Sequence, residues 1–483
     1  MTLSPVDYAV IAAYLLAITL FGSWFARFQK TTSDYFLTGR TVPWWAICFT
    51  IVATETSTLS FIGVPAQAYT GNMTFLQLAA GYVVGRVIVS VVLIPAYFRG
   101  ELVTTYQLLQ RRFGDGVRTA GAAIFLVSRS LADGVRLFAT ALVIAVVTGV
   151  PVTWTVLALG SAMIIYTVRG GVSAVIWTDV VQMFVYILGA LAVFAALWER
   201  IPGGLPEVVR YGTQAAKFVV FDASLSPGAV YTVWTGLLGG VALTLATHGT
   251  DQFLVQRLLA GRSAREAGLG LSLSGLLVFV QFTLFLFIGV MLGAYYQHQP
   301  LPPLGRTDEI LPTFVVGTLS GGTAGFIVAA IVAAALSPSL NAMAATTVTD
   351  FYRPYVNPAA DDAQLLRIAK RWTIGWGVVQ LAVALAAQGL NRSVLDAGLA
   401  VLSLTTGPVL GAFLVGVLNR TVNGTSMLAG MAVGLAVLLW CWTSGSIAWS
   451  WWAFIGAAVT AVTALVLTAA TPTFRSSPIS AGE

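Results

Sequence analysis

The chain has 483 residues, of which 57% are hydrophobic and only 9% charged, and its formal net charge is +6. Soluble globular proteins carry about 25% charged residues, so this composition excludes an ordinary soluble protein. Apolar stretches of about 20 residues recur from end to end, each long enough to cross roughly 30 Å of hydrocarbon. A transmembrane β-barrel shows short alternating segments instead. The sequence therefore predicts an all-α polytopic membrane protein.

In chain order, the apolar stretches predict thirteen membrane spans, numbered here 1 to 13. No basic residue precedes the first span, and its apolar run is too long for a secretory signal, so we expect a retained helix. A short polar tail, 471–483, follows the last span and is expected to be cytoplasmic. The predicted spans are 7–28, 44–70, 75–98, 119–148, 151–168, 171–197, 231–256, 266–297, 323–349, 366–389, 395–418, 424–445 and 449–470.

Lysine and arginine residues divide unevenly between the two sides of the predicted bundle. Cytoplasmic loops carry an excess of these residues, so we expect an external N-terminus and a cytoplasmic C-terminus in the plasma or inner membrane. The basic residues sit in short loops, so we expect the lipid bilayer and a small-molecule solute as partners, and no nucleic acid. Seventeen fall inside, at Arg27, Lys30, Arg40, Arg99, Arg111, Arg112, Arg118, Arg169, Arg257, Arg262, Arg265, Arg353, Arg367, Lys370, Arg371, Arg420 and Arg475, and five outside, at Arg200, Arg210, Lys217, Arg306 and Arg392.

Two spans carry polar residues in their interior. One stretch is A-T-E-T-S-T-L-S-F-I-G (53–63) in span 2, and the other is T-L-A-T-H-G-T-D-Q-F-L-V-Q (244–256) in span 7. The two spans lie five apart, an odd number, so they start from opposite faces of the membrane. Interrupted helices at matching positions of two inverted halves point to a transporter's midplane site. We therefore expect broken helices in both spans.

Five motifs follow one another along the chain: S-D-Y-F-L-T-G-R (33–40), T-T-Y-Q-L-L-Q-R-R-F-G (104–114), G-G-V-S-A-V-I-W-T-D-V-V-Q (170–182), G-T-D-Q-F-L-V-Q-R (249–257) and L-N-A-M-A-A-T-T-V-T-D-F-Y (340–352). In this order they resemble the motifs of the sodium:solute symporter family, over nearly the whole chain. This resemblance implies a LeuT-type core of five plus five inverted helices in a single transporter domain, 1–483. The two repeats would be 44–197 and 231–418, with 7–28 and 424–470 peripheral to them.

The resemblance also implies a sodium site where span 2 meets span 9. Its main-chain ligands would be the carbonyls of Ala53 and Thr56 from span 2 and of Ile331 from span 9. Two hydroxyl groups of span 9 complete the site in the family. Hard oxygen ligands of this kind suit a small hard cation.

Span 9 departs from the family pattern. A gapless register places Ala334 and Ala335 at the two hydroxyl positions, and Ser337 then falls on a second sodium position that also uses an aspartate such as Asp179. A register with a three-residue deletion restores Ser337 to the first site but leaves Pro338 beside it. We expect sodium as the coupling ion and no organic cofactor. Proton coupling and a poorly coupled carrier are the alternatives.

By the same resemblance, the solute would lie between spans 2, 4 and 7. Thr247 and His248 precede the motif of span 7, and Glu55 and Ser60 would face the same cavity, with Arg136 contributed by span 4. A charge at the bilayer centre costs at least about 2.5–3.5 kcal/mol. Glu55 is therefore expected either to bind solute, proton or cation, or to pair with a buried hydroxyl or arginine.

Three charges in span 4 follow helical spacing. Arg129 and Asp133 are four residues apart, and Asp133 and Arg136 are three apart, which predicts mutual neutralisation on one helical face. The alternative leaves Arg129 or Arg136 partly free to bind a carboxylate with two parallel hydrogen bonds. Arg86 in span 3 is expected to be a structural or cavity residue rather than a solute ligand.

The predicted function is secondary transport of a small polar or anionic organic solute by alternating access. The sequence contains neither H-E-x-x-H nor G-x-S-x-G and only two histidines, so we do not expect an enzyme. A membrane sensor built on a symporter-like domain is another alternative, disfavoured because no soluble output domain follows span 13. The functional unit is expected to be a monomer, with the oligomeric state left open.

Overall fold

The computed structural model describes residues 3–25, 40–99, 102–169, 172–319, 321–333, 339–389 and 393–470. Within these ranges helices overlap each predicted span, and no β-strand is formed. Eight of the described helices are long and apolar enough to cross a membrane, or nine when the bent pair in span 2 is counted as one. The all-α membrane class is as predicted, and the count of thirteen spans stays a prediction.

The helices on the predicted spans follow one another in chain order, and several spans consist of two or three pieces. They are Pro5–Phe25, Trp44–Glu55 with Thr58–Thr70, Phe75–Val92 with Ile94–Phe98, Asp115–Thr148, Val152–Arg169, Val172–Arg200, Thr235–Gly240 with Val241–Gly249 and Gln252–Leu259, Ala264–His298, Thr323–Ala333 with Leu340–Thr346 and Thr347–Tyr352, Asp362–Ala386, Val394–Leu418, Gly424–Ser444 and Trp452–Ala470.

Three further helices of eight or more residues lie in stretches where the sequence predicts connections. They are Tyr106–Phe113, Gly204–Gln214 and Ile310–Thr318, of 8, 11 and 9 residues. Each is shorter than the roughly 17 residues that the shortest membrane-spanning helices need. Each of these helices is therefore too short to cross a membrane on its own.

Close backbone approach holds the interrupted spans against their neighbours. A Cβ on Gly81 of span 3 would lie 2.0 Å from the Gly236 carbonyl oxygen of span 7, and a Cβ on Gly289 of span 8 would lie 2.2 Å from the Pro65 carbonyl oxygen of span 2. Small residues permit this approach, as in other membrane bundles. Span 2 is thereby packed against span 8, and span 7 against span 3.

The part of span 2 that follows its break is also fixed by polar contacts. Lys217 reaches over from the connection between spans 6 and 7, and its Nζ donates to the carbonyls of Tyr69 and Gly71 at 2.6 and 2.9 Å. Gln67 donates to the Asp396 carboxylate of span 11 at 2.9 Å. These contacts position the helix that follows the break in span 2.

Candidate functional site

The helix of span 2 ends at Glu55, and after two intervening residues a second helix begins at Thr58, at an angle of 61° to the first. The Ser57 amide donates to the Glu55 carbonyl at 2.8 Å, and the Ser60 amide donates to the Ser57 carbonyl at 2.9 Å. In a continuous α-helix these two amides would donate to the carbonyls of Ala53 and Thr56. Those two carbonyls, the predicted sodium ligands of span 2, thus lose their helical donors.

The helix of span 7 is interrupted between Gly249 and Gln252. Asp251 caps the second piece, because its carboxylate accepts a hydrogen bond from the Phe253 amide at 2.9 Å. The Tyr97 hydroxyl of span 3 donates to the Gly249 carbonyl. Polar groups of neighbouring elements therefore satisfy the backbone that the interruption exposes, as a membrane interior requires.

A cavity lies between the two interruptions, and all five residues predicted to contact the solute line it. These are Glu55, Ser60, Arg136, Thr247 and His248. The cavity thus combines a polar patch with an otherwise largely apolar wall, which is the usual composition of a small-molecule site. Aromatic and aliphatic side chains complete much of that wall: Phe75, Tyr82, Phe253, Phe282, Leu59, Leu243, Leu254, Leu395, Leu399 and Leu402.

Glu55 is held by an arginine and also faces the cavity. Its carboxylate forms an ion pair with Arg86, which is completely buried, while its own side chain keeps 14% exposure. A second Arg86 nitrogen, Nη1, donates to the Ser274 hydroxyl at 2.8 Å. His248 Nε2 lies 3.6 Å from the same Glu55 oxygen, and Nδ1 lies 3.0 Å from the Thr247 hydroxyl. Glu55 therefore pairs with a buried arginine, which is one of its two predicted roles, and it does so in the wall of the cavity.

The charges of span 4 neutralise one another as their spacing predicts, and they also bind other spans. Asp133 Oδ1 lies 3.5 Å from Arg129 Nη1 and 3.7 Å from Arg136 Nη1. Arg129 pairs in addition with Asp251 at the break of span 7, and Ser339 of span 9 donates to Asp133. Within the described residues, the Arg136 Nε is buried and makes no hydrogen bond.

Asp179, a predicted ion ligand, is buried among polar partners. The Thr50 hydroxyl donates to it at 2.6 Å, and Arg257 Nη2 lies 3.1 Å from the same oxygen. Arg257, which the sequence counts among the cytoplasmic residues, is buried in the bundle beside the Asp179 carboxylate. Ser337 belongs to residues 334–338, which lie outside the described ranges.

Hydroxyl groups connect span 9 to the break of span 2. The Thr58 hydroxyl donates to the Ile331 carbonyl at 3.0 Å, and the Thr140 hydroxyl of span 4 donates to Thr58 at 2.9 Å. Thr58 is the first residue of the helix after the break. The Ile331 carbonyl, which is predicted to bind sodium, therefore lies beside the break at which the carbonyls of Ala53 and Thr56 lose their helical donors.

Comparison with known proteins identifies the family. The model of the sodium:solute symporter family matches residues 35–434. The chain belongs to this family. It is thus a secondary transporter and not an enzyme, as the sequence predicts.

Two curated symporters show the extent of the similarity. The human sodium/iodide cotransporter is 31% identical over 445 residues, which cover 90% of this chain and 69% of that protein. The sodium/sialic acid symporter of Aliivibrio fischeri is 32% identical over 444 residues, which cover 90% of this chain and 87% of that protein. The similarity therefore extends over most of both chains.

A solved structure of a Na⁺-coupled sialic acid symporter, in a substrate-bound outward-open state, matches almost completely. Its TM-score is 0.89 at 28% sequence identity, and the match covers 97% of this chain and 98% of that one. The described helices therefore have the architecture of a known symporter of this type.

The Glu55–Arg86 pair can be tested by a double-mutant cycle. Removing one partner of a buried ion pair leaves an uncompensated charge and costs about 3–5 kcal/mol. We expect Arg86→Met to lower the midpoint of thermal unfolding of the detergent-solubilised protein strongly. Adding Glu55→Gln to that variant should restore much of the loss. An exposed arginine, Arg265, replaced by Met serves as the control, and strictly additive effects of the two substitutions would contradict the pairing.

Proposed function

We propose that this transporter couples the entry of sodium to the uptake of a small polar or anionic organic solute. The solute would bind in the cavity between the interruptions of spans 2 and 7. The observation that carries this proposal is that Glu55, Ser60, Arg136, Thr247 and His248 line one cavity at both interruptions. Relatives named for sodium together with iodide or sialic acid support it.

The charges around the cavity favour an anion that enters together with sodium. In a medium of low dielectric constant, an added charge without a counter-charge is costly, and a sodium ion adds one positive charge. An anionic solute would cancel it, and the Arg136 guanidinium at the wall can bind a carboxylate through two parallel hydrogen bonds. With His248 neutral, the fixed charges balance: Glu55, Asp133 and Asp251 against Arg86, Arg129 and Arg136.

For the sodium ion we propose the carbonyls of Ala53, Thr56 and Ile331 as ligands. The loss of two helical hydrogen bonds at the break supports this assignment, because oxygens without donors are available to a hard cation. We assign Ser337 and Asp179 to a second ion position, on the family resemblance alone. A proton in place of sodium is the alternative outcome of the uptake test below.

We further propose thirteen spans, an external N-terminus, and inverted repeats at 44–197 and 231–418. The two interruptions then occupy the same position in each repeat, at spans 2 and 7. Because both contribute to one cavity within a single chain, the monomer is proposed as the functional unit.

The coupling ion is tested by uptake into proteoliposomes. A thermal-shift screen of sugars, carboxylates and amino acids, each with sodium and with potassium, first identifies the solute. We then expect uptake to require an inward sodium gradient, because the site offers neutral oxygen ligands to sodium. Uptake that follows a pH gradient and ignores sodium would overturn sodium coupling and establish the proton instead.

The sodium site is tested by Thr58→Val, which removes the hydroxyl that holds the Ile331 carbonyl. A hydrogen bond contributes about 1 kcal/mol, so we expect the sodium concentration for half-maximal uptake to rise roughly three- to tenfold. Thr70→Val is the matched control, because among the described residues the Thr70 hydroxyl donates only to the Ala66 carbonyl of the same span. An equal effect of both substitutions, or none, would contradict the proposed ligand.

A further inference from the structure

Four arginines line one surface pocket at the end of the bundle where spans 3 and 11 terminate. They are contributed by three separate parts of the chain: the end of span 3, the short helix Tyr106–Phe113, and the connection after span 11. Sequence patterning assigns them only to the cytoplasmic side. The four are Arg99, Arg111, Arg112 and Arg420.

The positive charges of this pocket have no carboxylate partner among the described residues. Of the four side chains, Arg112 is the one with a hydrogen bond to a described residue, donating Nε and Nη2 to the Asn419 carbonyl at 3.3 and 3.1 Å. Burial and the neighbouring Arg420 lower the pKa of Arg112. By contrast, the arginines of the solute cavity, Arg129 and Arg136, each face a carboxylate. Four like charges gathered without compensation repel one another, and a bound anion relieves that repulsion.

The remaining walls of the pocket are apolar and adjoin the lipid-facing surface. Ala96, Leu108 and Val417 line it together with Gly416. Leu418, the next residue along span 11, is 70% exposed. Acyl chains cover an exposed leucine at the end of a membrane span. The four arginines of the pocket therefore lie next to a surface that contacts lipid.

We propose that this pocket binds the phosphate headgroup of an anionic membrane phospholipid. Guanidinium groups match phosphate oxygens through paired hydrogen bonds, and basic pockets between transmembrane helices bind such headgroups. A free phosphate ion shares the same chemistry with the arginines but leaves the apolar walls unused. With the predicted orientation, the lipid belongs to the cytoplasmic leaflet.

The test compares lipid binding by the full chain and a triple variant, Arg99→Gln/Arg111→Gln/Arg420→Gln. Arg112 is retained because it bonds to Asn419. Native mass spectrometry of protein released from nanodiscs with phosphatidylcholine and phosphatidylglycerol measures the retained lipid. We expect the wild type to retain phosphatidylglycerol selectively and the variant to bind it about 100-fold more weakly, from the usual contribution of each basic residue at an anionic surface.

A control variant, Arg265→Gln/Arg367→Gln/Arg371→Gln, removes as many basic residues elsewhere and should retain the lipid. Equal retention of the two lipids by the wild type, or equal loss from both variants, would overturn the proposal. Inorganic phosphate that stabilises the protein in phosphatidylcholine nanodiscs as well as phosphatidylglycerol does would identify a soluble ligand and also overturn it. If the triple variant does not fold, Arg111→Gln alone should weaken binding about fivefold, and unchanged binding would refute the site.

Discussion

Charge compensation inside the membrane is the constraint on which the site depends. An uncompensated charge at the bilayer centre costs at least about 2.5–3.5 kcal/mol, and the carboxylates near the two interrupted helices pair with cations. Here the partners come from different spans, and they tie the two interrupted helices to their surroundings. Three such ion pairs are Glu55 with Arg86, Asp251 with Arg129, and Asp179 with Arg257.

These ion pairs divide according to the proposed inverted repeats. Glu55 and Arg86 lie on spans 2 and 3, both in the first repeat. The Asp251–Arg129 pair joins the break of span 7 to span 4, and so connects the two repeats. A movement of one repeat against the other would change the contact between Asp251 and Arg129, because this pair joins the repeats. The Glu55–Arg86 pair would stay intact, because both of its members belong to the first repeat. The cavity lies between them, where binding of solute and ion can influence both.

Much of the site follows from sequence patterns, and the rest depends on contacts between distant positions. Polar residues in the middle of apolar spans marked the two interrupted stretches, and the family resemblance placed Glu55 and His248 at one cavity. The Arg129–Asp251 pair was missed, since its members are 122 positions apart and helical spacing reports only neighbours on one helix. Arg86 is a lone charge in an apolar span, so the sequence indicates that it needs a counter-charge. The spacing along the chain does not identify Glu55 as that partner. The helix Tyr106–Phe113 was missed because a short polar helix resembles a loop in hydropathy.

The most direct test of the binding cavity is whether bound ligand protects a cysteine in its wall from alkylation. Ser60→Cys, in a background with Cys48 and Cys441 replaced by alanine, places a reactive thiol in the cavity wall while both native cysteines are buried. The rate of its alkylation would be measured with the solute identified by the thermal-shift screen, in sodium and in potassium. The account predicts that solute and sodium together slow the reaction, and that solute with potassium slows it far less. An unchanged rate at saturating solute and sodium, in a variant that still transports, would place the binding site elsewhere.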